Sequence, residues 1–177
     1  MRKIVFLMAL LSNLAFANSE RERKCNNGNA RSCVALGVSY QLGLGVRQDY
    51  KKAREFYGKA CEMGEAKSCK TLGYLYFKGD GVKQDYKKAR EFYGKACEMG
   101  EALGCHHLGY LYFGGLGVRQ NYKKANELYS KACKMGDALG CGDLGDLYYV
   151  MKDYKKANDL YSKACKMGDA KSCGALG

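Results

Sequence analysis

Ten cysteines carry the most explicit chemistry in this chain of 177 residues. They fall into five pairs with one spacing, C-x(7)-C: Cys25/Cys33, Cys61/Cys69, Cys97/Cys105, Cys133/Cys141 and Cys165/Cys173. Thiols in such a set can cross-link, hold a metal or act as nucleophiles. A gap of seven residues is poor zinc spacing, and only His106 and His107 are present to complete a ligand set. Neighbouring residues of a helix point about 100° apart, so the two histidines do not readily share one ion. A serine hydrolase of the S-x-x-K type needs lysine three residues after its serine, to help remove the proton. Here Ser68 is followed at that distance by Thr71, Ser130 by Cys133 and Ser162 by Cys165. The glycines of GLGV and GDGV are not followed by G-K-[ST], so they do not read as a phosphate loop. No metal or cofactor is expected, and no catalytic residue is assigned.

The redox compartment decides between thiols and disulfides. Residues 1–17 begin with Arg2 and Lys3, continue with a mostly apolar run from Ile4 to Phe16, and end in Ala15-Phe16-Ala17. That is the layout of a signal peptide cleaved near Ala17. The apolar run is short for a membrane-spanning helix of about 20 residues. A secreted or periplasmic mature chain, 18–177, is therefore expected, and an even cysteine count there reads as a disulfide framework. The formal net charge is +12, and loss of Arg2 and Lys3 leaves about +10. Such a charge favours anionic partners, but the lysines read better as a solvated face that keeps the protein soluble.

The elements that position these cysteines come from an internal repeat. KKAREFYGKACEMGEA stands at 51–66 and again, unchanged, at 87–102; related versions follow at 123–138 and 155–170. The period is 36 residues, falling to 32 at the last step. Each unit reads as two helices. The first spans roughly 65–78, with Ala66, Cys69, Leu72, Gly73 and Tyr76 at three- and four-residue steps. GDGVKQ breaks it at Gly79 and Gly81, and Asp85 is placed to cap the next helix. The second helix, YKKAREFYGKACEM, puts Tyr86, Ala89, Tyr93 and Ala96 on one face, and Gly100 ends it. The fourth unit lacks the GxGV segment: only Val150, Met151 and Lys152 separate Tyr149 from Asp153. No proline and no β-rich run interrupts the pattern. An all-α, right-handed α/α solenoid of disulfide-stapled helical hairpins is expected, because one hairpin cannot bury its apolar face alone. The first cysteine of each pair ends one helix and the second lies a turn into the next. The chain reverses between them, so the five local pairs can each close into a disulfide.

The pattern A-x-x-x-x-x-L-G-x-x-Y, G-x-G-V, Y-K-K-A-x-x-x-Y-x-K-A-C-x-x-G, here Ala66 to Gly100, resembles the Sel-one-like repeat, a relative of the tetratricopeptide repeat. With C-x(7)-C added, the chain looks like the Helicobacter cysteine-rich proteins. That resemblance implies a secreted, disulfide-linked protein that binds penicillin, has weak β-lactamase activity, recognises peptidoglycan-like fragments and meets host immune components. None of its implied chemistry maps onto a residue motif in this sequence.

Comparing the units with one another separates scaffold from surface. Alanine, leucine, glycine, tyrosine and cysteine positions recur. The remaining first-helix positions vary, in the registers Val34/Lys70/His106/Gly142, Ala35/Thr71/His107/Asp143, Val38/Tyr74/Tyr110/Asp146 and Gln41/Phe77/Phe113/Tyr149. In tetratricopeptide-like arrays the first helices line the concave side. A groove carrying Tyr74, Phe77, His106, His107, Tyr110 and Phe113 would suit a protein or peptide segment, a peptidoglycan fragment or a β-lactam. The lysine pairs at 51/52, 87/88, 123/124 and 155/156 open the second helices and fall on the other side. A monomeric binding protein is the expectation, with weak β-lactam hydrolysis as the alternative. Neither nucleic acid nor stable membrane insertion is expected.

Overall fold

The computed structural model describes residues 16–176; most of the expected signal peptide, residues 1–15, lies outside them. Every regular element among the described residues is helical. Residues 16–26 are helical (α1). Then follow α2 (Ala30–Leu42), α3 (Tyr50–Glu62), α4 (Ala66–Lys78), α5 (Tyr86–Glu98), α6 (Ala102–Gly114), α7 (Tyr122–Lys134), α8 (Ala138–Val150), α9 (Tyr154–Lys166) and the short α10 (Ala170–Ala175). The even-numbered helices from α2 onward are the first helices of the repeat, and the odd-numbered ones from α3 onward the second. Their residues lie in two compact units, one ending at Gln84 and the other beginning at Asp85.

The helix starts have a shared cause. Asp49, Asp85, Asn121 and Asp153 cap the second helices, each side chain accepting a hydrogen bond from the backbone N–H of Lys52, Lys88, Lys124 or Lys156. This satisfies one of the donors that a helix N-terminus leaves open. Asp137 and Asp169 do the same for α8 and α10, whereas Glu65 and Glu101 make no such bond before α4 and α6. The loop glutamines tie down the other end of a first helix: Gln84 Nε2 donates to the Phe77 carbonyl and Gln120 Nε2 to the Phe113 carbonyl, both at 2.8 Å.

Within a unit, successive helices pack through glycine and tyrosine. A Cβ added at Gly37 of α2 would lie 2.6 Å from Cε1 of Tyr57 in α3. In the second unit, Gly109 faces Tyr129 and Gly145 faces Tyr161 in the same way, at 2.8 and 2.7 Å. The hydrogen at these positions lets a buried aromatic ring lie flat against the neighbouring backbone, and Ala53, Ala60, Ala125, Ala132, Ala157 and Ala164 are fully buried. Small residues thus set the helix spacing and tyrosine fills the remaining volume.

All ten cysteines are paired as the repeat spacing requires: Cys25–Cys33, Cys61–Cys69, Cys97–Cys105, Cys133–Cys141 and Cys165–Cys173, with Cα atoms 4.5–4.8 Å apart. Each bridge crosses the turn between a helix and its successor: α1–α2 and α3–α4 in the first unit, α5–α6, α7–α8 and α9–α10 in the second. No free cysteine remains. Covalent closure at five turns fits an oxidising compartment, periplasmic or extracellular. No helix of the described residues is long and apolar enough to cross a membrane.

The fourth repeat turns more tightly, as its missing segment requires. Met151 N–H bonds to the Leu147 carbonyl, Lys152 N–H to Tyr149 and Asp153 N–H to Tyr148. Lys152 adopts φ 64°, the left-handed region that glycine fills in the longer loops.

Candidate functional site

The six aromatic and histidine positions singled out from the first helices do not share one environment. Tyr74 on α4 and Tyr110 on α6 are 41% and 44% exposed, and each holds the same place in its own unit's first helix. Phe77 and Phe113 are half-buried. Phe113 leans on the cluster formed by Ala125, Tyr129, Leu144 and Leu147, so a large part of that ring is core. His107 is half-buried, its ring 5.0 Å from that of Tyr93. His106 is buried, with 8% exposure, and lies beneath the open surface rather than on it.

The surroundings of His106 could not be read from sequence spacing, because its partners come from later repeats. Its Nε2 lies 2.8 Å from Oδ2 of Asp143 on α8. Its Nδ1 is 3.6 Å from Oδ2 of Asp137, the residue capping α8, and makes no hydrogen bond. The ring also sits 5.8 Å from Tyr129. Asp143 therefore orients a histidine ring that is itself largely buried. Farther along α8, Asp146 accepts from Tyr161 Oη at 2.8 Å and from Lys171 Nζ at 2.7 Å. The hydrogen bond to Asp146 holds the Lys171 ammonium above the ordinary lysine range. Burial, aided by the nearby acids, pushes the Tyr129 and Tyr161 phenols well above the ordinary tyrosine range. In this acidic, hydrogen-bonded stretch of α8, Asp146 stands where α4 and α6 present Tyr74 and Tyr110, and Asp143 where they present Thr71 and His107.

Two broad clefts lie away from those registers. In the second unit, a cavity of about 650 Å³ opens between second helices and is lined by Arg90, Glu91, Lys95, Lys124, Glu127 and Lys131. Its charges are partly matched internally, by Lys95–Glu91 at 3.0 Å and Lys124–Glu127 at 3.3 Å. In the first unit, a cavity of about 600 Å³ is lined by Tyr40, Arg47, Gln48, Asp49 and Lys52. Pattern reading missed both, since each arises where side chains of different elements splay apart. The described residues hold no cluster of three or more histidine, cysteine or acidic side chains able to bind a metal ion.

Repeating helix pairs, glycine–tyrosine seams and a staple at every second turn define a disulfide-linked helical-repeat protein, a class whose members present surfaces for other molecules. The chain belongs to the Sel1 repeat family: the Sel1 repeat matches residues 30–65, 66–101, 102–137 and 139–169. Among solved structures it is similar to c5321, a protective antigen present in uropathogenic Escherichia coli strains, with 34% identity and a TM-score of 0.84 over 92% of this chain and 36% of that one. A Sel1 repeat protein from Oxalobacter formigenes matches with 29% identity and a TM-score of 0.78, over 84% of this chain and 62% of that one. Helicobacter pylori cysteine rich protein B matches with 32% identity and a TM-score of 0.59, over 76% of this chain and 96% of that one. This chain thus spans about a third of the first relative and less than two thirds of the second. A comparison with curated protein sequences gave no match.

Proposed function

We propose that this is an exported binding protein, each compact unit of which holds a protein segment or cell-wall peptide against the variable faces of its own first helices. The observation that carries the reading is the exposure of Tyr74 and Tyr110 at equivalent places on an otherwise invariant frame. Tyrosine joins a large apolar face to a hydroxyl and is enriched among the residues that dominate binding interfaces. Here each is mounted on a helix whose preceding turn is covalently closed, so little ordering is required on binding. The five disulfides and the signal-like residues 1–17 support export.

The hydrolytic alternative receives less support. Every cysteine is bridged, Ser68 and Ser172 are buried, and His106, the histidine that pairs with Asp143, is buried as well. The deciding experiment is a thermal-shift titration with muramyl peptides and with unstructured peptides, run on the natural chain and on Tyr74→Ala and Tyr110→Ala. A ligand-dependent rise in melting temperature that each variant weakens is expected. No shift with either ligand class would refute binding at this face. Turnover of nitrocefin that copurifies with the folded protein and falls on substitution of these tyrosines would favour the enzyme.

A further inference from the structure

The shortened fourth repeat uncovers a surface that the other repeats keep covered. In the first unit, the glycine turn after α4 folds back over the start of α3: a Cβ at Gly81 would lie 2.0 Å from Tyr50 Cβ. In the second unit, the turn after α6 does the same to α5, with Gly117 placed 2.5 Å from Tyr86 Cβ. Both glycines have φ of 65°, so a side chain there is doubly excluded. Tyr50 and Tyr86 are accordingly half-buried.

Tyr122, at the start of α7, is the next tyrosine in this series, and the turn that would cover it is the one missing between α8 and α9. Tyr122, Tyr149, Val150, Met151 and Tyr154 are between 38% and 58% exposed. They lie at one end of the second unit, where the C-terminal ends of α6 and α8 meet the N-terminal ends of α7 and α9. Phe113 and Tyr122 stand 5.5 Å apart between ring centroids, and Tyr149 and Tyr154 stand 5.2 Å apart. The rim is cationic: Lys123, Lys152 and Lys155 are exposed beside Tyr122, Met151 and Tyr154. The nearby carboxylates are already engaged, Glu127 by Lys124 at 3.3 Å and Asp153 by Lys156 at 3.2 Å.

We propose that this aromatic and apolar end of the second unit, exposed by loss of the glycine turn, docks an acidic segment of another protein carrying apolar side chains. Apolar burial would supply affinity, and the lysine rim would select acidic sequences and speed their encounter. A second copy of the chain is a poorer occupant, because the formal charge of +12 opposes self-association. The proposal concerns a different surface from Tyr74 and Tyr110, so the two fail independently.

The test is selection of random dodecapeptides displayed on phage against the natural chain. Counter-selection uses a graft in which Val150-Met151-Lys152 is replaced by residues 114–120 of the preceding repeat, restoring the cover. The surviving peptides are expected to combine Asp or Glu with Phe, Leu or Trp. In fluorescence anisotropy they should bind at least about tenfold more weakly to the graft and to Tyr149→Ala/Met151→Ser, and equally well to Tyr110→Ala. The double variant removes only exposed side chains, so it keeps the test decisive if the graft misfolds. Loss of all peptides' preference for the natural chain, enrichment without acidic bias, or equal binding by the double variant would overturn the proposal. So would a dimer in sedimentation that disappears in that variant, since the occupant would then be a second copy.

Discussion

Gly94→Ala and Gly109→Ala make the same chemical change in two helices of the same unit, and the structure gives them different energetics. In α5 a Cβ at Gly94 meets nothing within 4 Å. The equivalent positions in α7 and α9 already carry Ser130 and Ser162. The substitution then acts through helix propensity alone and should stabilise by about 0.5–1 kcal/mol. In α6 the Cβ at Gly109 would lie 2.8 Å from Cδ1 and 2.9 Å from Cε1 of Tyr129, whose ring is almost wholly buried. Non-bonded carbons prefer about 3.5–4.0 Å, so ring or helix must retreat by roughly 0.7–1 Å. Overpacking of that kind costs about 1–3 kcal/mol, which the propensity gain only partly offsets. The two variants should therefore differ by about 2 kcal/mol, or about 4–8 °C in melting temperature for a chain of this size. Thermal denaturation followed by circular dichroism at 222 nm, with the disulfides intact, measures the difference. If Gly109→Ala were as stabilising as Gly94→Ala, the ring of Tyr129 would not lie against α6, and the glycine–tyrosine seam would be wrong as the basis of helix packing.

Four further outcomes follow from other parts of the molecule. Replacing Cys133 and Cys141 together by Ser opens a loop of about nine residues and should cost about 2.5 kcal/mol in the chain-entropy model, read as a lower urea midpoint; removing Cys165–Cys173 should loosen only α10 in hydrogen exchange. Burial pushes the Tyr57 phenol up to about 12, so its contribution to stability is complete below the ordinary value of 10 and is lost as pH rises through that window. Absorbance at 295 nm should show a late-ionising fraction that shrinks in Tyr57→Phe. The Ser172 hydroxyl holds the Asp169 carboxyl below the ordinary value of 3.8, so that cap stabilises α10 above this pH and is lost as pH falls through the lowered value. Amides of residues 170–176 should lose exchange protection first on acidification, and Asp169→Asn should remove the pH dependence.

Much of this architecture was legible because the chain repeats itself. The glycine turns, the aspartate cap at Asp85 and the five staples all follow from local spacing, and the structure has each of them. Less could be read about the candidate surface. Helical periodicity places His106, His107 and Tyr110 on one side of α6, but burial depends on what the next repeat sets opposite them. Asp143 and Asp137 stand opposite His106, and the ring is enclosed; Tyr110 remains open. The exposed end around Tyr149 was foreshadowed by the four-residue deletion. Its meaning depends on Gly81 and Gly117 lying over Tyr50 and Tyr86, a contact between neighbouring repeats that no single repeat encodes.

Every staple joins positions only eight apart in the chain. In an oxidising compartment each bridge becomes possible once its own helix corner has formed, without waiting for any distant stretch. Partners from other corners are at least 24 residues away along the chain, as between Cys141 and Cys165, so mispairing must close a much longer loop. Oxidation can thus proceed corner by corner, each bridge independent of the rest. For the same reason whole modules can be added or lost over generations without rewiring the bridges that remain.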